Sequence, residues 1–306
     1  LLTRVQELGL STLTESAEHY GLGLTIGNAP VRLIELANAY ACLARLGEWK
    51  EWRLVMSDEA VPGRAVLKHE ACYLIADILS DNQARSMTFG THSPLRLPFR
   101  AAVKTGTSQS YRDNWTLGFT PEYTVGVWAG NFDNTPMQEV SGVTGAAPIW
   151  RDILLHLHES SPATWYEEPK EIVRARIDPR TGRQLTAQSP PSRLSREELF
   201  IAGSLPPAAT RGDYDERGRA LLPPEFAKWV RSSDNWLGDL VVCEERKGTS
   251  RPWRIAHPVS GTVIQLDSDL PGGGRRLLLE TEPQVSVEWR CESLPVQHDG
   301  GQAYVL

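Results

Sequence analysis

Apolar residues recur at helical spacing in three segments of the first half of the chain. Residues 28–47 (NAPVRLIELANAYACLARLG) contain Asn28 and Pro30, which favour a helix start, and close on Gly47, which favours a helix end. The residues expected on the buried face of this helix are Leu33, Ile34, Ala37, Tyr40, Ala41 and Ala44. The same spacing predicts two further helices, over residues 70–81 and 147–158.

Between the second and third of these segments the period changes to two residues, which is typical of strands. Residues 99–107 (FRAAVKTGT), 114–119 (NWTLGF) and 123–131 (YTVGVWAGN) each predict a strand. The stretch TPEY at 120–123 has proline at its second position, which favours a turn between the last two strands. Three adjacent antiparallel strands flanked by helices indicate an α/β or α+β domain over residues 1–160.

The pattern changes twice after residue 160. Residues 161–215 are rich in proline and predict a connector, in which RARIDPRTGRQL (174–185) is typical of a small hairpin closed by residues 179–182. Short β-like segments separated by Gly and Pro turns then predict an all-β, sandwich-like domain over 216–306. Its strands are expected at 253–256, 261–267, 275–281 and 284–289. Because the chain ends on the apolar stretch QAYVL, we expect this domain to be incomplete.

Composition narrows the classes of function. The chain has 306 residues, 41% of them hydrophobic, which is enough to bury a core, and its net charge of −6 argues against a nucleic-acid-binding protein. It contains no run of about 18 apolar residues that would cross a membrane. Because it begins with Leu1 and not with methionine, we expect any targeting or anchoring segment to lie upstream.

The segment Lys104-Thr105-Gly106-Thr107, called the KTGT segment below, ends the first predicted strand and suits a catalytic edge. Lys104 would bring a positive charge to an anionic substrate or assist proton movement, and Thr105 would offer a hydroxyl to a carboxylate. Gly106 would let a peptide lie against the strand, and the Thr107 N–H would donate to a developing oxyanion. On these residues alone, a solvated strand end stays an alternative.

The residues around the KTGT segment resemble a known family. AAVKTGTS…RDNWTLGFTPEYTVGVWAGN is similar to the third active-site motif of penicillin-recognising D,D-transpeptidases and the two strands that follow it. The similarity continues through YGLGLTIGNAPVRLIELANAYACLARLG and SGVTGAAPIWRDIL, and so covers about residues 1–160. ELFIAGSLPP and RIAHPVSGTVIQLDSDLPGGGRRLLLE resemble the tail of a bifunctional class A penicillin-binding protein.

The resemblance implies the C-terminal half of a penicillin-recognising α/β fold, with an antiparallel sheet flanked by helices. It also implies a serine enzyme of peptidoglycan synthesis, which crosslinks stem peptides through an acyl-enzyme and is acylated by β-lactams. Lys104 and Thr107 would be catalytic, and Thr105, Gly106 and Thr107 would bind substrate. No metal or cofactor is implied.

For the whole protein, the resemblance implies further features that these residues do not carry. A glycosyltransferase domain that acts on a lipid-linked precursor is expected upstream, with a membrane anchor. The protein would then lie on the periplasmic side of the bacterial inner membrane. The last domain is a candidate for binding a protein partner.

Two motifs that the family uses before the KTGT segment are not found. None of the six lysines has a serine three positions earlier, so the serine–x–x–lysine nucleophile is absent from this chain and is expected upstream. The chain alone is therefore expected to be inactive. Ser80-Asp81-Asn82 imitates the family's second motif, but it ends a predicted helix close to Lys104, and we interpret it as a polar turn.

Alternatives to a transpeptidase stay open at this point. A non-catalytic peptidoglycan- or partner-binding protein with a vestigial fold is one, although the intact KTGT segment argues against it. A hydrolase is another, either a carboxypeptidase or a β-lactamase, and the long two-part tail argues against a β-lactamase.

A few further residues are candidates for a structural or a site role. His156 and His158 lie two apart on a predicted helix and are expected to be structural. Arg112, Asp113 and Trp115 either shape the cleft or form a salt-bridged turn beside a core tryptophan. Among the cysteines, Cys42 and Cys72 are expected to be buried, and a disulfide between Cys243 and Cys291 stays open.

Overall fold

The computed structural model describes residues 1–55, 61–138, 140–192, 194–243, 254–259, 261, 277–282, 287–291, 294–299 and 302–305. The chain divides into two compact units, of which the first comprises Leu1–Leu221 and Leu237–Val241 and the second Leu222–Trp236 and Val242–Leu306.

The described helices are α1 (Leu2–Glu7), α2 (Ala17–Tyr20), α3 (Leu33–Ala44), α4 (His69–Ser80), α5 (Asn82–Phe89), α6 (Ala146–Leu157) and α7 (Ala227–Val230). The 3₁₀ segments are Gly21–Ile26, Gln109–Tyr111, Arg211–Asp213, Pro224–Phe226 and Gly238–Leu240. The described strands are β1 (Glu48–Trp49), β2 (Arg64–Ala65), β3 (Ala102–Thr107), β4 (Asp113–Phe119), β5 (Thr124–Gly130), β6 (Ile172–Asp178), β7 (Arg183–Gln184), β8 (Arg196–Ile201), β9 (Ala220–Leu222), β10 (Val241–Cys243), β11 (Arg254–His257), β12 (Leu277–Glu282), β13 (Val296–Asp299) and β14 (Gln302–Val305).

An antiparallel sheet in the order β3-β4-β5 forms the centre of the first unit. The alternation of apolar and polar residues predicted all three strands, and their bounds agree to within three residues. Lys104 pairs with Leu117 and Gly106 with Trp115, while Trp115 also pairs with Trp128 on β5. This register decides which side chains share a face, because side chains alternate along each strand.

Helices cover both faces of this sheet, as the α/β prediction required. On one face the fully buried ring of Phe119 packs with Ala44 of α3, Ala76 of α4 and Ala102. On the other face the fully buried ring of Trp150 on α6 packs with a cluster that includes Val103, Val125 and Val127. Burying a side chain of the size of Phe119 contributes about 2 kcal/mol, so both helical layers are firmly held.

Helix α3 is shorter than predicted, and its buried face is different. The Asn28 amide donates to the carbonyl of Tyr20 and does not cap the helix, which begins at Leu33. Leu33 and Ile34 are 37% and 43% exposed, so the prediction that they are buried is wrong. The residues of α3 that are buried are Glu35, Asn38, Ala39, Cys42 and Ala44.

Two polar side chains on the buried face of α3 have hydrogen-bond partners. The Glu35 carboxylate accepts from the hydroxyl and the backbone N–H of Ser11, at 2.6 and 3.0 Å, and from Arg32 at 2.9 Å. The Asn38 amide donates to the carbonyl of Lys50 at 3.0 Å. Buried polar groups are tolerated only when they are hydrogen-bonded. The partners Ser11 and Lys50, which are distant in sequence, therefore explain why the buried face of α3 differs from the predicted one.

Residues 161–215 contain a small sheet of their own. The predicted hairpin is present, since β6 and β7 pair Ile177 with Gln184 and Asp178 with Arg183, and β8 pairs with the other edge of β6. These residues belong to the same compact unit as the central sheet. The domain boundaries at residues 160 and 215 stay a prediction.

A fully buried ion pair lies at the end of β6. The Asp178 carboxylate accepts from Arg180 at 2.7 Å, from the Ser192 hydroxyl at 2.6 Å and from the Tyr214 hydroxyl at 2.8 Å. Arg180 also donates to the carbonyl of Gly218 at 3.2 Å. Burial alone would raise the pKa of Asp178, but these hydrogen bonds outweigh it and lower that pKa to about 2.

The described strands of the second unit include one antiparallel sheet in the order β11-β12-β14-β13. β11 and β12 correspond to predicted strands, and β14 lies within the apolar stretch QAYVL. The strand predicted over 284–289 is wrong for residues 287–289, which belong to no strand. Residues 284–286 and 262–267 of the predicted strands lie outside the described residues.

Two further expectations concern the chain as a whole. None of the four cysteines is in a disulfide, so the Cys243–Cys291 option is not realised, and Cys42 and Cys72 are buried as expected. Within the described ranges, every helix is too short or too polar to cross a bilayer.

Removing the cation of the buried ion pair should destabilise the first unit strongly. We expect Arg180→Met to lower the free energy of unfolding by about 3–5 kcal/mol, because Asp178 would be left buried and uncompensated. The matched control is Arg174→Met, which removes an exposed arginine paired with Glu168 and Glu197 and should cost less than about 1 kcal/mol. Urea denaturation measures both, and equal losses would contradict the prediction.

Candidate active site

The KTGT segment lies on an exposed edge of the central sheet. β3 is the terminal strand in the order β3-β4-β5, so the edge of β3 that faces away from β4 has no strand partner among the described residues. Ala102 and Val103 are buried, whereas Lys104 and Thr107 are exposed and Thr105 and Gly106 are half-buried. The strand is therefore anchored at its start and accessible at its end, where a peptide could add along the free edge.

Lys104 projects into solvent from the face that carries α3 and α4. It shares this face with Ala102 and Leu117 by strand alternation and register. Its Nζ donates to the carbonyl of Thr105 at 2.6 Å, and it is in no ion pair with any described residue. An exposed ammonium group without an internal carboxylate is suited to bind an external anion.

Gly106 has room for a side chain. A Cβ atom added there would lie 3.6 Å from Cβ of Trp115, which is an ordinary contact, and Gly106 does not adopt a left-handed backbone. Neither packing against the described residues nor backbone conformation requires glycine at this position.

Thr107 is held by a loop that is distant in sequence. The N–H of Gly142 donates to Thr107 Oγ1 at 3.0 Å, and the hydroxyl of Thr116, which is fully buried, donates to the Gly142 carbonyl at 2.9 Å. A Cβ atom on Gly142 would lie 2.6 Å from the carbonyl oxygen of Gly106 and 2.7 Å from that of Trp115. Only a glycine allows the loop to approach the strand this closely.

The turn that follows the KTGT segment is closed by a carboxylate. Asp113 accepts from the Ser108 hydroxyl at 2.9 Å and from Nε1 of Trp128 at 2.9 Å. Its partners are thus Ser108 and Trp128, and the salt-bridged turn with Arg112 is not formed. Trp115 and Trp128 are in contact, with ring centroids 6.4 Å apart. Both are half-buried, so Trp115 is not a fully buried core residue.

The other sequence candidates have structural roles. Ser80 ends α4 and donates to the Asp77 carbonyl, while Asp81 caps α5 by accepting from the backbone N–H of Gln83 and Ala84, so the polar-turn interpretation is confirmed.

The two histidines at the end of α6 differ in their surroundings. His158 is buried against Thr120, at 3.1 Å between Nε2 and Oγ1, and Nδ1 lies 2.8 Å from the carbonyl of Ser161. His156 is exposed beside Glu159. The two side chains do not converge, as their spacing predicted.

Sequence reasoning missed Thr116 and Gly142 as part of this site. The stretch SGVTG at 141–145 contributes to the resemblance and Thr116 lies on a predicted strand, but the sequence marks neither as part of the site. Two features of the sequence could have pointed to these residues. Gly142 precedes a predicted helix, and Thr116 lies on a predicted strand of which one face is buried. Neither reveals that the loop returns to a strand 35 residues earlier in the chain.

Comparisons with known proteins support one family. Residues 9–155 match the penicillin binding protein transpeptidase domain. Penicillin-binding protein 2D of Bacillus subtilis is 27% identical over 260 residues, which cover 76% of this chain and 36% of that protein. Penicillin-binding protein 1C of Escherichia coli is 28% identical over 320 residues, which cover 97% of this chain and 40% of that protein.

A solved structure agrees on the fold. The crystal structure of penicillin-binding protein 1A from Haemophilus influenzae superposes with a TM-score of 0.54 at 21% identity, over 68% of this chain and 37% of that one. The fold and the family match together define a transpeptidase domain of the penicillin-recognising class. By its sequence the chain is similar to the penicillin-binding proteins. It spans about two fifths or less of the length of the relatives named above.

The two glycines of the site should respond differently to alanine. Gly142→Ala should lower the free energy of unfolding by about 1–3 kcal/mol, because its Cβ would collide with two backbone carbonyl oxygens. Gly106→Ala serves as the control and should change it by less than about 0.5 kcal/mol, since its Cβ has room. Thermal melting of both variants checks this, and a loss at Gly106 as large as that at Gly142 would contradict the geometry.

Proposed function

We propose that this chain is part of a serine D,D-transpeptidase that crosslinks the stem peptides of peptidoglycan, and that the KTGT segment binds the substrate. This proposal rests above all on the exposed free edge of that segment within a penicillin-binding protein transpeptidase domain. A non-catalytic binding role has no observation in its favour.

The reaction is acyl transfer in two steps. The hydroxyl oxygen of a serine attacks the carbonyl carbon of the penultimate D-alanine, the bond to the terminal D-alanine breaks, and D-alanine leaves with the proton on its amine. The amine of a neighbouring stem peptide then attacks the ester, forms the crosslink and returns the proton to the serine. β-Lactams are attacked by the same serine and remain attached as inhibitors.

The residues of the KTGT segment take separate roles in this reaction. The Lys104 ammonium and the Thr105 hydroxyl hold the terminal carboxylate of the substrate, and the same ammonium assists proton movement at the serine. Gly106 lets the stem peptide approach the strand edge. Thr107 contributes its backbone N–H to the oxyanion and its hydroxyl to the carboxylate.

The nucleophile is not among these 306 residues, because no lysine has a serine three positions before it. We place it elsewhere in the full-length protein, together with a glycosyltransferase domain that uses a lipid-linked precursor. A membrane anchor would hold the protein on the periplasmic side of the inner membrane. The second unit would then be available to bind a protein partner.

The isolated chain should form no covalent adduct with a β-lactam, since the attacking serine is missing. Intact-mass measurement after incubation with a fluorescent penicillin tests this, and the full-length protein, which should gain one adduct, is the control. A stoichiometric adduct on a serine of the isolated chain would contradict the proposal, and Ser80 would be the first residue to map.

In the full-length protein, Lys104→Ala should slow acylation by a fluorescent penicillin by about 100-fold or more, because substrate anchoring and proton movement are both lost. Its free energy of unfolding should change by less than about 0.5 kcal/mol, since the side chain is exposed. The matched control is Lys170→Ala, another exposed lysine, which should acylate at the wild-type rate. Unchanged acylation in Lys104→Ala would remove the lysine from the mechanism.

A further inference from the structure

The loop formed by residues 141–145 is a compact turn that lies against the sheet. Its own hydrogen bonds fix its shape, since the Ser141 N–H donates to Thr144 Oγ1 at 2.9 Å and the Gly145 N–H donates to the Ser141 carbonyl at 2.8 Å. The carbonyl of Gly142 accepts from the Ala147 N–H at 2.9 Å as well as from Thr116. The loop is therefore fastened to the start of α6 on one side and to β4 on the other.

Gly142 connects these fastenings to the KTGT segment. Its carbonyl is held by the buried hydroxyl of Thr116, and its N–H is the group that reaches Thr107 Oγ1. The Gly142 carbonyl is thus held by the interior of the sheet, and the Gly142 N–H in turn holds the hydroxyl of the exposed residue Thr107. Because Gly142 is bonded to both threonines, a displacement of Thr116 would be transmitted to Thr107 through this one residue.

The direction of this hydrogen bond has a chemical consequence. Because Gly142 donates, Thr107 Oγ1 acts as an acceptor, and its hydroxyl hydrogen has no acceptor among the described residues. The hydroxyl is oriented by the protein and yet keeps its donor for an external group. A donor that needs no reorganisation on binding is worth more to a charged acceptor than a freely rotating one.

We propose that Thr116 and Gly142 are positioning residues of this site, which hold the Thr107 hydroxyl so that it donates to the carboxylate of the bound substrate or β-lactam. The proposal rests on the function proposed above. Neither residue touches the substrate. Both act through Thr107, and this separates their role from a general contribution to stability.

A double-mutant cycle in the full-length protein tests the proposal. The rate of acylation is measured for a penicillin and for its methyl ester, which lacks the carboxylate. Thr107→Val should slow acylation by the acid by roughly tenfold, the loss of one hydrogen bond to a charged group, and Thr116→Val by roughly fivefold. In the Thr107→Val background, Thr116→Val should add no further loss. With the ester, all variants should acylate at the wild-type rate.

Three further variants separate positioning from folding. Thr116→Ser keeps the hydroxyl and should restore the rate with the acid. Thr120→Val is the matched control, a fully buried threonine bonded to His158 away from the strand edge, and should leave both rates unchanged. If Thr116→Val does not fold, Thr144→Val takes its place in the cycle, because Thr144 is exposed and holds the same loop.

The outcomes distinguish the two proposals. Equal losses with acid and ester, or additive losses in the cycle, would overturn the positioning role while leaving the transpeptidase proposal intact. A wild-type protein that neither compound acylates would overturn the proposed function and the positioning role together. The proposal is supported if Thr116→Val slows acylation by the penicillin acid but not by the ester. This loss should also be absent in the Thr107→Val background, and Thr116→Ser should restore the rate.

Discussion

The antiparallel register between β3 and β4 is the constraint on which the candidate site depends. Pairing Lys104 with Leu117 places both on the face that α3 and α4 cover, where Leu117 and Phe119 are buried. A slip of one residue between the two strands would either turn these apolar side chains toward α6 or reverse the side on which Lys104 projects. The buried rings of Phe119 and Trp150 fix the register, and the register determines which side chains of the KTGT segment are accessible at the strand edge.

Polar side chains buried along the central strand have the complementary role of fixing loops. Thr116 bonds the 141–145 loop, and Thr120, which follows β4, bonds His158 at the end of α6. Since a buried hydroxyl is costly without a partner, each of these residues specifies where one segment must lie. Asn114 differs, because its amide nitrogen reaches only Met137 Sδ at 3.9 Å and its Oδ1 has no partner among the described residues.

The sequence predicted the parts of the fold that local patterns encode. Alternation identified β3, β4 and β5, and helical spacing identified α4 and α6 to within one residue at each end. The buried face of α3 could not be predicted, because Glu35 and Asn38 are accommodated by Ser11 and Lys50, which no spacing rule connects to them. The KTGT segment was found because its chemistry is local. The residues that hold Thr107 were not, since their contact depends on how α6 packs against the sheet.

The glycines near the site differ in whether packing within the described chain requires them. Gly118 is required by packing, since a Cβ atom there would lie 2.5 Å from both the Ala102 carbonyl oxygen and the ring of Trp150, and Gly142 is required by its approach to the strand. Gly106 meets neither condition. Nothing described in this chain excludes a side chain at Gly106, which is consistent with the proposal that this glycine lets the stem peptide approach the strand edge. A peptide backbone added along that edge is the ligand for which a missing Cβ matters most.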